Sequence, residues 1–144
     1  LDTTKTYRIL IVESDVLFLK QFQLILFDLI STYSDIQFII EFSDELSDSA
    51  RAVTFPIGLA FVEASAVVDD PHLVDDLTKT NDNMCMALLI SDLQNPLIQN
   101  GLKNLIKTNH ELVIGYIVKH NTNRNLLRAT CKEYIDKMIS RNQS

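Results

Sequence analysis

Residues 8–15 read RILIVESD. The apolar run Tyr7–Val12 (YRILIV) meets Glu13, Ser14 and Asp15 with no glycine or proline between them. A run this short and this rich in β-branched residues predicts a buried strand. Asp15 suits the N-cap of a helix that the following residues predict as far as about Ile30. The pattern of an apolar strand, a polar strand end and then a helix recurs along the chain. Strands are expected at Ile36–Glu41 (IQFIIE), Ile57–Val62 (IGLAFV), Met84–Ile90 (MCMALLI) and Leu112–Val118 (LVIGYIV). Helices are expected at Ser43–Val53 (Ser43 as its cap), Pro71–Lys79, Pro96–Lys107 and Asn121–Ser140. Strands this apolar need cover on both faces. The chain is therefore read as α/β: a three-layer, doubly wound sandwich of one five-stranded parallel sheet and five helices.

The bulk numbers fit one domain. The chain has 144 residues, 47% of them hydrophobic, with three glycines and three prolines. That composition supports one core and argues against long linkers. Residues 1–6 are expected to be disordered or a cloning remnant, residues 7–140 the domain, and residues 141–144 a tail or the start of a linker. Leu1 is preceded by no methionine or signal peptide, as expected for a piece of a longer protein. The net charge of −6 speaks against nucleic acid and an anionic membrane surface as partners. No apolar run reaches the roughly 18 residues of a membrane span. Cys85 and Cys131 lack metal or redox spacing, so a reduced, cytoplasmic protein is expected. The three histidines, His72, His110 and His120, are scattered, and they and the cysteines are expected to pack or face solvent.

In a doubly wound sheet the working crevice lies beyond the carboxyl ends of the strands. Those ends carry Glu13, Ser14 and Asp15; Glu63, Ala64 and Ser65; Ser91 and Asp92; and Lys119 and His120. Carboxylates after the first and third strands, a hydroxyl after the fourth and a lysine after the fifth form a set that suits a hard cation and a phosphoryl group. With this set, RILIVESD, GLAFVE, LLIS and GYIVK resemble, in order, four motifs of the response-regulator receiver domain. The resemblance spans about residues 7–140. It implies a flavodoxin-like fold with strand order 2-1-3-4-5 and a regulatory function without enzymatic activity. It places Glu13 and Ser14 at the acidic pair, Glu63 at the phosphoacceptor, Ser91 at the switch hydroxyl, Tyr116 at the switch aromatic and Lys119 at the phosphate-binding lysine.

Four residues depart from the family pattern. Glu63 replaces an aspartate, and its extra methylene carries the carboxylate about 1.5 Å further out, which an in-line attack tolerates poorly. Ser14 replaces an acid, leaving Glu13 as a weak candidate Mg²⁺ ligand. Asp92 stands where a small residue is usual and would repel a phosphoryl group. His120 replaces a proline that commonly follows a cis bond; without proline the cis form costs about 2.5–4 kcal/mol. The expectation is a degenerate receiver that regulates an output domain or a partner without normal aspartyl phosphorylation. In it Glu63 pairs with Lys119, holding that lysine and Ser91 in a permanently engaged state. A phosphorylation-competent receiver using Glu13, Asp15 and an atypical acceptor is the alternative. A flavodoxin-like cofactor carrier is disfavoured, because ESDVLF is acidic and glycine-free.

Simpler roles compete for single residues. Ser91 could only satisfy loop backbone, and Tyr116 could only fill the face beneath the last helix. For assembly, the resemblance points to a homodimer through the fourth helix, fifth strand and fifth helix, with Lys103, Lys107, Arg128 and Lys132 as interface residues. The competing surface is the first helix. There Phe18, Leu19, Phe22, Ile25, Leu26 and Leu29 share the core arc, which leaves Leu17, Leu24 and Phe27 outside it.

Overall fold

The computed structural model describes residues 5–43, 56–70, 72–79, 81–91, 95–120 and 122–143. Strands β1 (Lys5–Val12), β2 (Ile36–Ser43), β3 (Ile57–Glu63), β4 (Cys85–Ile90) and β5 (Val113–Val118) form one sheet. Among the described residues the helices are α1 (Val16–Ile30), α2 (Ala64–Asp69), α3 (His72–Thr78), α4 (Pro96–Thr108) and α5 (Arg124–Asn142). The strand order is β2-β1-β3-β4-β5 and every pairing is parallel, as expected.

Alternation along the strands divides the core between the two faces of the sheet. Ile9 and Ile11 of β1, Leu59 and Phe61 of β3, and Ala87 and Leu89 of β4 pack with α1 and α5. Leu10, Val12, Ala60, Val62, Leu88 and Ile90 pack on the other side with α2, α3 and α4. The three central strands thus read as largely apolar runs because both of their faces are covered.

α1 buries Phe18, Phe22, Ile25, Leu26 and Leu29, each stabilising by roughly 1.5–3 kcal/mol. Asp15 accepts from the amides of Leu17 (3.1 Å) and Phe18 (3.2 Å), so it caps α1 as expected. α5 starts at Arg124 rather than residue 121, because Asn123 supplies its cap by accepting from Leu126 N at 2.8 Å.

Several elements differ from the sequence reading. β1 begins at Lys5 and α5 ends at Asn142, so both pass the expected edges of the domain. β2 extends to Ser43, the residue expected to cap a helix over 43–53; residues 44–53 lie outside the described residues. α2 follows β3 directly and was not expected. It is short, and the burial of Ala64 and Val67 holds it against the sheet. Arg8, inside β1, is fully buried and pairs with Glu41 of β2.

The two flanks of α5 face different neighbours. Arg128 Nε donates to Asp28 of α1 at 3.1 Å, and Lys132 Nζ lies 5.9 Å from the Tyr33 ring centroid while donating to Asp136 at 2.7 Å. Tyr33 donates to Asp136 at 2.5 Å. Arg128 and Lys132 therefore serve the α1–α5 seam and not the α4–β5–α5 face expected of them. Lys103 and Lys107 are exposed on α4, and Tyr116 and Leu126 are exposed on β5 and α5.

Candidate functional site

The carboxyl ends of β1, β3 and β5 bring Glu13, Ser14, Glu63 and Lys119 together. Lys119 leaves β5 anchored to β4, its backbone amide donating to Ile90 O at 2.9 Å. Its ammonium turns inward and donates to Glu13 Oε1 at 2.7 Å; the two side chains are 3% and 0% exposed. The Phe18 ring lies beneath the ammonium, 5.6 Å to its centroid. The same Glu13 oxygen accepts from the Asp15 amide at 3.0 Å.

Glu63 closes β3 and opens α2 without capping it. Its carboxylate instead accepts from Ser14 Oγ at 2.7 Å and lies 4.0 Å from Lys119 Nζ. The expected pairing of Lys119 with Glu63 is present at ion-pair distance, but the closer, hydrogen-bonded partner is Glu13. The reason is depth. Glu13 is fully buried beside the ammonium, whereas Glu63 sits at the rim with a hydroxyl donor of its own.

The second oxygen of Glu13, Oε2, is buried with no hydrogen-bond partner among the described residues. Burial is the dominant influence on this carboxyl and raises it above the usual glutamate range; the Lys119 hydrogen bond opposes the shift.

Divalent-cation ligands are poorly supplied here. Glu13 Oε1 already faces an ammonium, Asp15 is committed to the cap, and Ser14 brings no charge. Among the described residues no group of three or more His, Cys, Asp or Glu is placed to hold a metal. This donor set does not fit Mg²⁺, which wants several free oxygens in octahedral array.

Ser91 stands exposed just after β4 and makes no hydrogen bond among the described residues. Asp92 lies outside the described residues. His120 is exposed, and no cis peptide occurs among the described residues, in keeping with the missing proline. Tyr116 is 52% exposed, so it does not fill the face beneath α5. That place belongs to Tyr134, whose hydroxyl donates to Tyr116 O at 3.2 Å. His72 and His110 are also exposed, and Cys85 and Cys131 are buried and unpaired. A hollow of about 560 Å³ lies at the opposite end of the sheet, by Met84, His110 and Arg141, away from this chemistry.

No protein-family model and no curated protein matches the chain. Solved structures do. One is the signal receiver domain of an HD domain-containing protein from Pseudomonas fluorescens Pf-5, at 15% identity and a TM-score of 0.66, covering 94% of this chain and 98% of that one. Another is a response regulator from Hahella chejuensis, at 10% identity and a TM-score of 0.62, covering 96% and 98%. A third is a response regulator from Thermotoga maritima, at 19% identity and a TM-score of 0.58, covering 94% and 98%.

The chain has the receiver fold. Its receiver crevice is where Glu13, Ser14, Glu63 and Lys119 meet, and Ser91 stands at its β4 side. Sequence reasoning named all five positions. It missed Phe18 as the floor beneath Lys119 and Arg8 as a buried charge. Arg8 was open to detection, because a charge inside an otherwise apolar strand requires a partner.

Proposed function

We propose that this domain is a degenerate receiver, a regulatory module without enzymatic activity that works through an attached output domain or a protein partner and not through phosphorylation at Glu63. One observation carries the proposal: the Lys119 ammonium is already neutralised, inside the protein, by Glu13. A phosphoryl group arriving at Glu63 would have to draw that lysine away from a buried carboxylate. The carboxylate left behind would then lack its charge partner, at a cost of several kcal/mol. Ser14 holds Glu63 by a direct hydrogen bond, so the acceptor position is also engaged. The held state is thus built from four of the chain's own residues, with Ser14 in the role first given to Ser91.

The Pseudomonas fluorescens neighbour is the receiver of an HD domain-containing protein, and an attached output domain fits this chain in the same way. Self-association through α4, β5 and α5 remains part of the proposal, with Lys103, Lys107, Tyr116 and Leu126 and without Arg128 and Lys132. A cytoplasmic setting suits the two unpaired cysteines, and among the described residues no helix is long and apolar enough to cross a membrane.

The partnerless Glu13 Oε2 favours one other reading, a receiver that still admits a cation. Titration with beryllofluoride and magnesium, followed by amide NMR, separates the two. The proposal expects no saturable shift at Glu13, Glu63 or Lys119. Tight, magnesium-dependent shifts at those residues would establish the competent receiver instead.

A further inference from the structure

The sheet has two outer edges, β2 and β5. β5 is six residues long, contains Gly115, and meets β4 through a shift in register between Met86 and Ala87. β2 is built differently. Its eight residues, IQFIIEFS, hold no glycine, proline or lysine. They pair with β1 in one unbroken register, from Lys5 opposite Ile36 to Val12 opposite Ser43. Every second residue of such a strand turns its N–H and C=O away from the sheet, and no described strand lies on that side. Glu41 is the one charged residue of β2, and Arg8 of β1 neutralises it.

α1 overhangs this edge. The Phe27 ring meets the Phe42 ring edge-on, with centroids 6.4 Å apart. Successive helical residues turn by about 100°, so Val16, Leu19, Gln23 and Ile30 share that flank with Phe27. None of the five is charged. Val16 is 59% and Phe27 45% exposed. Asp28 turns to the other flank, where it pairs with Arg128. The edge of β2 and the flank of α1 thus form an uncharged, largely apolar strip on a chain of net charge −6. Exposed sheet edges are ordinarily blunted by lysine, proline, a bulge or short length, and β2 carries none of these.

We infer that the β2 edge pairs with the β2 edge of a second copy of this chain. A two-fold axis between the copies sets the two strands antiparallel. The two sheets become one continuous sheet, with up to about eight new backbone hydrogen bonds. The same axis lays the two α1 flanks side by side on one face, where Val16 and Phe27 lose their exposure. A second copy suits the strip because the contact is self-complementary. Two chains of charge −6 repel each other least where neither presents a charge. Pairing here needs neither the crevice nor the proposed function, and β5 lies at the opposite edge of the sheet.

Sedimentation equilibrium tests this on the whole chain carrying Leu126→Ser, which removes the exposed leucine beside Tyr116 on the β5 side. A monomer–dimer equilibrium is expected. Gln37→Lys then puts a charge on the edge strand, and Phe27→Lys puts one on the α1 flank. Both parent side chains are exposed, so the fold is kept. Each variant should weaken the dimer about tenfold. Amide hydrogen exchange over 36–43 should slow as protein concentration rises, while exchange in β5 stays constant. A chain that remains monomeric to about 1 mM would overturn the inference. So would a dimer that Gln37→Lys leaves intact, or one whose 36–43 amides exchange as fast as in the monomer. A monomer that instead binds an extended peptide along 36–43 would give the edge to a different partner and overturn it as well.

Discussion

Lys119 decides the character of the crevice, because a buried ammonium must have a counter-charge and this one has found Glu13. Removing one member of a buried pair strands the other, which costs about 3–5 kcal/mol, whereas replacing both with apolar residues is often neutral. Lys119→Met should therefore lower stability by about that amount in urea unfolding, and Glu13→Met/Lys119→Met should recover most of the loss. A single variant as stable as the parent would mean that the pair contributes nothing.

Glu13 also sets a pH dependence. Its carboxyl lies above its ordinary value of 4.5 because burial penalises the charge. Between the unfolded and the raised folded value, the native state holds more protons than the unfolded chain, so the stability due to Glu13 falls as pH rises through that window. Glu13→Gln has no such group. The unfolding free energy of the parent, measured against this variant, should drop as pH increases from about 4.5. A parent that gains on the variant over that range would show that Lys119 outweighs burial.

At the scale of elements, β5 depends on Gly115. A Cβ there would lie 2.1 Å from the Tyr134 hydroxyl and 2.6 Å from the ring carbon that bears it. α5 approaches the edge strand this closely because that hydroxyl caps Tyr116 O. Gly115→Ala should cost about 1–3 kcal/mol, the usual range for overpacking a stiff site. The penalty should be smaller in a Tyr134→Phe background, and equal penalties in both backgrounds would place the strain elsewhere.

α1 and α5 are joined along one seam by Arg128, Asp28, Lys132, Asp136 and Tyr33. Burial pushes the Asp136 carboxyl up, but the hydrogen bonds from Lys132 and Tyr33 and the nearby Lys132 charge together outweigh it and hold the group below its usual range. The basic stripe assigned from sequence to an outer face is in this way partly spent inside the molecule.

For the whole molecule, the sheet was legible because each strand is a largely apolar run ended by polar residues, and doubly wound topology follows from such strands. The positions at the strand ends were legible for the same reason, since topology alone brings them to one crevice. α2 was not legible. ASAVVD has neither a capping side chain nor helical periodicity over enough residues, and tertiary burial of Ala64 and Val67 decides it. That Glu13 is the closer partner of Lys119, with Glu63 at 4.0 Å, was also hidden. It depends on relative depth in the crevice, a distinction of a few ångströms that no spacing encodes. The wrong flank of α5 had a signal, however: Asp28 stands on the polar side of α1, where a cation from the neighbouring helix could meet it.

In the proposed degenerate receiver, the chain's own side chains close the crevice. Incubation with acetyl phosphate and magnesium, followed by intact mass measurement, tests this most directly. The expected result is an unchanged mass for the parent and for Glu63→Asp, whose metal site still lacks its second acid. A labile gain of one phosphoryl group, mapped to Glu63 in the parent, would contradict it.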